Sequence, residues 1–293
     1  MVKRVTVIGS GGMGSWFARF FKSRGDMITV CDRDQRRARR LATRIGARCA
    51  RDNSEAARGS DVVVLATSVN SVSRVIKEIA PALKRNALLF DICATKSGVI
   101  PALRSVQRRG VKIASIHPMF GPFASGVTSR VIIVVRTGKD MRGAEMIKRM
   151  FRGARILLVD PEVHDKWMAL TLALPHFLNM AFAIAISRRR SLSDARKFAG
   201  RTFNLQMLLA ETIASEPETT ADIQVMNKEF GLVLKELLRD IRSLARIVNV
   251  SDRAELVARY RRIRDQLAKD PEFGVARKEF EKICAASSTI SRR

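Results

Sequence analysis

The chain of 293 residues contains only three histidines, and one of them stands in a distinctive turn. His117 opens the segment His117–Pro122, in which two prolines and a glycine favour a fixed turn, and it directly follows an apolar run, Val111–Ile116, typical of a buried strand. An imidazole titrates near neutrality, so a histidine at a strand end suits proton transfer to or from a hydroxyl group. The alternative is a loop histidine that only terminates the strand.

A second pattern with chemical meaning is Gly-x-Gly-x-x-Gly, directly after the first apolar run of the chain. In a strand–turn–helix context these glycines permit a tight turn, close approach of the backbone to a pyrophosphate, and close packing of helix on strand. The amino terminus of the helix then offers free N–H groups to the phosphates. The segment predicts a dinucleotide site with the cofactor-binding residues Gly9, Gly11, Gly12, Met13 and Gly14.

Asp32 ends the second predicted strand, where a carboxylate accepts hydrogen bonds from the adenosine ribose and repels a 2′-phosphate. This favours NAD as the cofactor. Arg33 and two further arginines nearby weaken that exclusion, so NADP stays open as an alternative. We expect Arg33, together with Thr67 and Ser68 after a later strand, to line the same crevice.

Strands and helices alternate in residues 1–159, which predicts an α/β domain with a Rossmann-type, doubly wound and mostly parallel sheet. Residues 160–286 contain only helical patterns and predict an all-α domain for substrate binding and dimerisation, and residues 287–293 predict a frayed tail. The predicted strands are Val5–Ile8, Ile28–Cys31, Asp61–Thr67, Ala87–Ile92, Val111–Ile116, Val131–Val135 and Arg155–Val159. The predicted helices of the second domain are Pro161–Arg188, Ser193–Ser215, Thr219–Val248, Asp252–Ala268 and Pro271–Ala285.

The formal net charge of +26 allows nonspecific binding of polyanions. The basic residues are spread along the chain and no nucleic-acid-binding motif accompanies them, so we expect no dedicated nucleic-acid site. The four cysteines lack metal-ligand spacing, and the N-terminus runs directly into a strand. These features predict reduced thiols, no metal site and a cytoplasmic protein without a signal peptide.

The segment Trp167–Ile186 is apolar over twenty residues, long enough for a transmembrane helix. Pro175, His176 and Asn179 lie at its centre, where polar groups are costly in lipid. We therefore favour a helix of a soluble bundle over a membrane span. Apolar surface of this extent normally meets a partner, and the commonest solution is a homodimer.

Three stretches together resemble the prephenate dehydrogenase family. They are the glycine pattern, His117–Pro122, and Glu162–Met168 continuing to Phe177; a weaker similarity extends through Glu216 to Asn227. The resemblance implies NAD(P)-dependent oxidative decarboxylation of prephenate to 4-hydroxyphenylpyruvate in tyrosine biosynthesis. It implies His117 as the catalytic acceptor for the substrate hydroxyl.

The resemblance also assigns binding roles for a small dicarboxylate substrate. It places His176 in the substrate pocket, gives His164 a role in structure or at the site edge, and makes Lys96 a source of positive charge for the substrate. A solvated lysine at a helix start is the alternative for Lys96. Thr95 stands one residue from a hydroxyl position of the family, and Arg130 is one of the cations that could bind a carboxylate.

The chain departs from the family pattern at three positions. Ala94 replaces a serine expected beside the catalytic histidine, and Glu211 and Phe203 occupy positions that are commonly basic. Either Arg130, Arg201 or another cation binds the substrate carboxylate, or the substrate differs from prephenate, with arogenate as the obvious relative. The sequence is also compatible with a β-hydroxyacid-type dehydrogenase, which would use a lysine on the long helix, and with a basic nucleotide- or nucleic-acid-binding protein that has lost catalysis.

Overall fold

The computed structural model describes residues 2–107, 109–188 and 192–288, with side chains described as far as residue 283. Eight strands alternate with helices in the first half of the chain. The strands are β1 Arg4–Ile8, β2 Met27–Cys31, β3 Arg48–Cys49, β4 Val62–Leu65, β5 Leu88–Asp91, β6 Lys112–Pro118, β7 Val131–Val135 and β8 Arg155–Val159. The helices between them are α1 Gly12–Ser23, α2 Gln35–Ile45, α3 Asn53–Ala57, α4 Val69–Ile79, α5 Ile100–Gln107 and α6 Arg142–Met150.

The strands form one sheet in the order β3-β2-β1-β4-β5-β6-β7-β8. All neighbouring pairs are parallel except β6 and β7, which run antiparallel with His117 opposite Ile133. The predicted Rossmann-type, mostly parallel sheet is therefore confirmed. Because β1, β2, β4, β5 and β6 are parallel, their carboxyl ends lie at one edge of the sheet. The strand order changes direction between β1 and β4, and ligands bind at such a point in folds of this kind.

Both faces of the sheet are covered, which explains why the central strands are continuously apolar. On one face an aromatic cluster centred on Phe17 packs against Phe90 and Phe151, with ring centroids 6.0 Å from Phe17 in each case. On the other face Val72 and Ile76 of α4 pack against Leu65 and Leu89. This burial holds the strand ends that carry the candidate site in fixed positions.

From Pro161 onward the described chain is helical. The elements are α7 Pro161–Met168, a π-helical segment Ala169–Ala173, α8 Leu174–Ser187, α9 Leu192–Lys197, α10 Arg201–Ala214, α11 Pro217–Val225, α12 Phe230–Asn249, α13 Arg253–Leu267, a 3₁₀ helix Pro271–Val275 and α14 Ala276–Ser288. The helices predicted at 193–215 and 219–248 are each divided in two, so the prediction that each is one continuous helix was wrong. The first break falls at Gly200, whose extended backbone begins α10; apolar periodicity continues across both breaks and therefore conceals them.

The chain folds into two compact units. The first comprises the residues up to Ala173 together with Glu218–Glu229, and the second comprises Leu174–Pro217 and the residues from Phe230 onward. The predicted boundary after residue 159 thus marks the end of the sheet, while α7 and α11 belong to the first unit. The predicted frayed tail begins within α14, which continues to Ser288, and its residues 289–293 lie outside the described residues.

In the second unit α8 packs against α10, with the rings of Phe182 and Phe203 5.8 Å apart. Gln206 Nε2 donates to Asn179 Oδ1 at 3.0 Å, which gives this buried amide of the apolar helix a partner on α10. Phe177 meets Phe230 at the start of α12 with ring centroids 5.9 Å apart. These contacts cover one side of α8 and leave much of its apolar surface exposed.

The continuous helix Pro161–Ser187 is long and apolar enough to cross a membrane by length and composition alone, and 17% of its apolar window is buried. Its first turns carry His164 and Asp165, which are both buried and bonded to each other. They belong to the first compact unit, so the beginning of this helix is part of a folded core.

Candidate active site

The glycine-rich turn between β1 and α1 has the geometry of an anion cradle. Gly9 adopts a φ of 103°, which favours glycine, and a side chain there would overlap the carbonyl of Ala66. A Cβ at Gly11 would meet only Arg37 Nη2 at 3.8 Å, so the backbone faces open space. Among the described residues no side chain caps α1, and its first N–H groups are free for phosphates. The turn therefore fits the pyrophosphate of a dinucleotide.

Asp32 follows β2 and is tied to the same turn. Its Oδ2 accepts from the backbone N–H and the hydroxyl of Ser10 at 2.5 and 2.8 Å, and its Oδ1 accepts from Asp34 N–H at 2.9 Å. Arg33 is exposed beside it. The carboxylate is thereby held at the carboxyl end of β2, next to the glycine turn, where it can accept hydrogen bonds from a ribose.

Thr67 and Ser68 follow β4 at the same sheet edge. The Thr67 hydroxyl is buried without a hydrogen-bond partner in the described structure, and the exposed Ser68 begins α4. The Asp222 carboxylate of α11 accepts from the Val69 N–H in the first turn of α4, and burial raises the pKa of this carboxyl group. The returning segment Glu218–Glu229 is thus fastened to the cofactor edge of the first unit.

His117 lies at the end of β6 and is only 7% exposed. Its Nδ1 is 3.0 Å from Nε2 of His164 on α7, and Nδ1 of His164 is 2.8 Å from Oδ1 of Asp165. Asp165 also accepts from the backbone N–H groups of Lys96 and Ser97, each at 3.0 Å. The three side chains form a continuous buried chain of hydrogen bonds, which we call the histidine chain.

The proton positions along the histidine chain follow from the charge of Asp165 at its end. These hydrogen bonds hold the pKa of Asp165 below its ordinary value against the effect of burial, so the carboxylate is ionised and can only accept. His164 therefore carries its proton on Nδ1 and presents a lone pair at Nε2. His117 in turn donates from Nδ1, which leaves Nε2 of His117 as an unprotonated acceptor. This is the form that can receive a hydroxyl proton.

Burial and the neighbouring charges keep the His117 imidazole neutral. Its pKa lies well below the usual range, first because of burial and then because of His164 and Lys96. Burial also lowers the pKa of His164, but there the hydrogen bond to Asp165 opposes the effect. The two imidazoles thus differ in their electrostatic surroundings, although they touch each other.

The structure corrects the predicted role of Lys96 as a cation for the substrate. Lys96 is fully buried, and its Nζ donates to Oδ2 of Asp91 and to the carbonyl oxygen of Ile116, each at 2.7 Å. An ammonium group with these partners neutralises Asp91 and tethers the strand residue next to His117. The alternative of a solvated lysine is equally wrong. Lys96 is a positioning residue for the histidine chain.

The remaining predicted substrate residues are found in different surroundings. Thr95 is buried beside Lys96, and its hydroxyl has no partner in the described structure. Arg130 is exposed, with its guanidinium carbon 5.9 Å from the centre of the Phe120 ring, so it borders the turn after His117. His176 lies on α8 in the second unit, where burial lowers its pKa and Nδ1 has no partner among the described residues. Glu211, in the same unit, is paired with Arg196.

Sequence reasoning missed three members of this site, namely Asp91, Asp165 and Asn227. Asp165 directly follows His164 in the chain, and that dipeptide was the available signal for the pair. Asn227 Nδ2 donates to the Asp165 carbonyl oxygen at 2.8 Å, which anchors the helix turn that carries both residues. The distance of 62 residues along the chain gives no local pattern for this contact.

Comparison with known proteins decides the family. The model described as the nucleotide-binding domain of prephenate dehydrogenase matches residues 17–132, and the model of its dimerization domain matches residues 160–262. The chain belongs to the prephenate dehydrogenase family. The resemblance that the sequence motifs indicated is confirmed, and the two matched segments together cover most of the chain.

Individual relatives agree with this membership. The chain is 28% identical, over 85% of its length and 57% of the relative's, to a probable arogenate/prephenate dehydrogenase of Methanocaldococcus jannaschii. It is 26% identical to a 4-amino-4-deoxyprephenate dehydrogenase of Streptomyces pristinaespiralis, over 97% and 96% of the two chains. The chain thus spans little more than half of its archaeal relative.

Among solved structures, the chain shares its fold with prephenate dehydrogenase from A. aeolicus, solved in complex with hydroxyphenyl propionate and NAD+. The TM-score is 0.75 at 18% identity, covering 92% of this chain and 98% of the other. The order of a dinucleotide-binding sheet followed by helices is therefore common to both proteins.

Proposed function

We propose that this protein is an NAD-dependent prephenate dehydrogenase, which oxidises prephenate with loss of CO2 to give 4-hydroxyphenylpyruvate in tyrosine biosynthesis. The observation that carries the proposal is the hydrogen-bonded chain from Asp165 through His164 to His117, which ends at the same sheet edge as the glycine turn and Asp32. Membership in the family supports the reaction class. Arogenate is the second candidate substrate, because one relative's name includes both substrates.

The residues of the chain explain how the reaction would proceed. Bound NAD would take the hydride from the ring carbon that bears the hydroxyl group. His117 accepts the hydrogen bond of that hydroxyl and draws its proton away as the carbonyl forms. Loss of the carboxylate as CO2 then moves its bonding electron pair into the ring, which becomes aromatic, and the carbonyl oxygen becomes a phenolate that regains the proton from His117. Gly11 and the start of α1 would hold the pyrophosphate of the cofactor, and Asp32 would hold its ribose.

The substrate carboxylates need cations. Arg130 borders the His117 turn, and it forms no ion pair with the residues that the structure describes. Since Lys96 is sequestered by Asp91, Arg130 is the predicted substrate cation that remains in the first unit. We infer that Arg130 binds a substrate carboxylate, while the substrate-binding role of His176 stays a prediction of the family resemblance.

We also infer a homodimer. The matched dimerization domain contains α8, on which Leu178 and Ile184 are 39% and 47% exposed. Partly exposed leucine and isoleucine side chains on one apolar helix favour self-association, because burying the exposed part of each is worth about 1 kcal/mol. The free cysteines Cys31, Cys49 and Cys93 fit the cytoplasmic location that we propose.

The test is turnover of prephenate or arogenate with NAD or NADP, followed by absorbance of the reduced cofactor. Turnover in at least one combination is expected, with NAD preferred. His117→Asn should lower kcat by about 10³-fold, since removing a general base typically costs 10²–10⁴-fold. The dissociation constant for NAD should stay within about twofold, because His117 lies outside the glycine turn. No turnover in any of the four combinations would sink the proposal.

A further inference from the structure

The histidine chain contains more groups than a single proton acceptor needs. Accepting a proton from the substrate needs only Nε2 of His117, yet a second imidazole is buried directly behind it, and His164 is 1% exposed. Burying a polar ring costs free energy unless its nitrogens are bonded. Both nitrogens of His164 are used, one toward His117 and one toward Asp165. Two of the three histidines of the whole chain belong to this arrangement.

The surroundings of the two rings differ in charge. Asp165 lies 2.8 Å from His164 and is held by the Lys96 and Ser97 N–H groups, so its negative charge is fixed beside that ring. Among the described residues His117 has no carboxylate as a hydrogen-bond partner; its bonded neighbour is His164. The nearest cation, Lys96 Nζ, is bonded to Asp91 and to the carbonyl before His117. A positive charge is therefore better stabilised on His164 than on His117.

We propose that His164 takes up the substrate's hydroxyl proton, which reaches it through His117 and returns by the same path to the phenolate oxygen that decarboxylation creates. The proposal rests on the proposed dehydrogenase function and adds a second residue to it. His117 is the group that touches the substrate, and His164 acts through His117.

The step balances as two linked proton transfers. The substrate O–H bond breaks as a new N–H bond forms at Nε2 of His117, and the electron pair of the O–H bond becomes part of the carbonyl. At the same time the N–H bond at Nδ1 of His117 breaks and a new one forms at Nε2 of His164. His117 ends neutral with its proton on the other nitrogen. His164 ends as an imidazolium, with its Nδ1 proton still bonded to Asp165.

This arrangement has a physical advantage near the cofactor. A proton left on His117 would put a positive charge beside the reacting carbon, in a buried site that also contains the Lys96 ammonium. Moving the charge one ring deeper places it against the Asp165 carboxylate. The groups that face His164 are Asp165 on α7, His117 on β6, Asp91 on β5 and Lys96 after it.

A simpler role for His164 is to orient His117 by accepting its Nδ1 proton, and two substitutions separate the roles. His164→Gln retains an oxygen that can accept from His117 but cannot take up a proton, whereas His164→Ala removes both properties. A relay predicts that both variants lose about 10²-fold in kcat with similar KM. A purely orienting residue predicts that His164→Gln recovers to within about threefold of the wild type while His164→Ala does not, and that result would overturn the proposal.

Isotope measurements give a readout that positioning alone does not change. With two protons in flight, the wild-type rate should depend on the deuterium fraction of the solvent along a curve. The His164→Gln variant should show a linear dependence, because only one transfer remains. A linear dependence in the wild-type protein, under conditions where chemistry limits the rate, would contradict the relay.

A final measurement needs no turnover, so it separates failure of the relay from failure of the proposed function. In protein labelled with ¹⁵N-histidine only three side chains give signals, and His117→Asn and His176→Gln assign them. The relay requires that His117 and His164 both carry their proton on Nδ1 at neutral pH. Finding the proton on Nε2 of either ring would overturn the proposal even if prephenate is oxidised. Absence of turnover with the expected tautomers would instead count against the substrate.

Discussion

The two compact units bury their side chains to different extents. In the first unit even charged groups are buried and bonded internally, as the Lys96–Asp91 pair shows with both side chains fully buried. In the second unit large apolar side chains such as Leu208 and Leu209 remain 54% exposed. The first unit therefore derives its stability from contacts within the chain, whereas we expect the second to depend on a second copy.

Lys96→Met should have the largest effect, a loss of stability in the first unit. The substitution leaves Asp91 as a buried charge without its cation, which typically costs about 3–5 kcal/mol in unfolding free energy. Denaturation followed by tryptophan fluorescence reports on the first unit, because Trp16 and Trp167 both lie in it. The matched control is Lys84→Met, which breaks the half-exposed pair with Asp61 and should cost at most about 1 kcal/mol. Equal losses in the two variants would mean that burial of the pair is unimportant.

Ile184→Asp should affect the second unit alone. A charge on the exposed apolar side of α8 should weaken self-association by about 2 kcal/mol, or roughly 30-fold, if Ile184 is an interface anchor. Sedimentation at several concentrations measures this, and the affinity for NAD should stay the same. The control is Val2→Asp, at an apolar residue of the first unit that is even more exposed than Ile184. A wild-type protein that sediments as a monomer at micromolar concentration would contradict the proposed dimer.

Acid should destabilise the protein through its buried histidines. The pKa values of His117, His164 and His176 all lie below the ordinary value of 6.5, chiefly because of burial. The folded state then binds fewer protons than the unfolded state, so stability is complete above pH 6.5 and falls as the pH decreases through the folded pKa values. Each histidine contributes a slope of up to about 1.4 kcal/mol per pH unit.

Unfolding free energies at pH 7.5, 6.5 and 5.5 test this dependence. His117→Asn should weaken the pH dependence of the unfolding free energy, because it removes a buried histidine of the first unit. His176→Gln should do the same by removing one of the second unit. If the wild-type stability stays constant or rises as the pH is lowered from 7.5 to 5.5, the histidines are not buried in the neutral form that the structure indicates.

The smallest effect concerns the choice of cofactor. Asp32→Asn removes the charge that repels a 2′-phosphate while Arg33 and Arg37 remain nearby, so the affinity for NADP relative to NAD should rise about tenfold, equal to about 1.4 kcal/mol. Calorimetric titration with each cofactor measures the ratio. Asp34→Asn is the control, because Asp34 caps α2 and asparagine also caps helices well. An unchanged ratio would leave Asp32 without a role in selectivity.

The fold was predictable because each element carries its own signal. The run Val62–Leu65 is fully buried and rich in β-branched valine, and the glycine turn needs its glycines for steric reasons that act within a few residues. By contrast, the two-residue strand β3 is too short to leave a pattern. The breaks before α10 and α12 do not interrupt the apolar periodicity, so helix patterns run across them, although Gly200 is a local signal for the first break.

By itself, the sequence determined the sheet, the glycine turn and the position of His117 at a strand end, because these depend on neighbours in the chain. It also drew attention to His164. Only the tertiary structure decided that His164 lies between His117 and Asp165, and that Lys96 is bound to Asp91. The physical reason is that hydrogen-bond direction and desolvation depend on which groups meet in space, and β6 and α7 meet only after the sheet has formed.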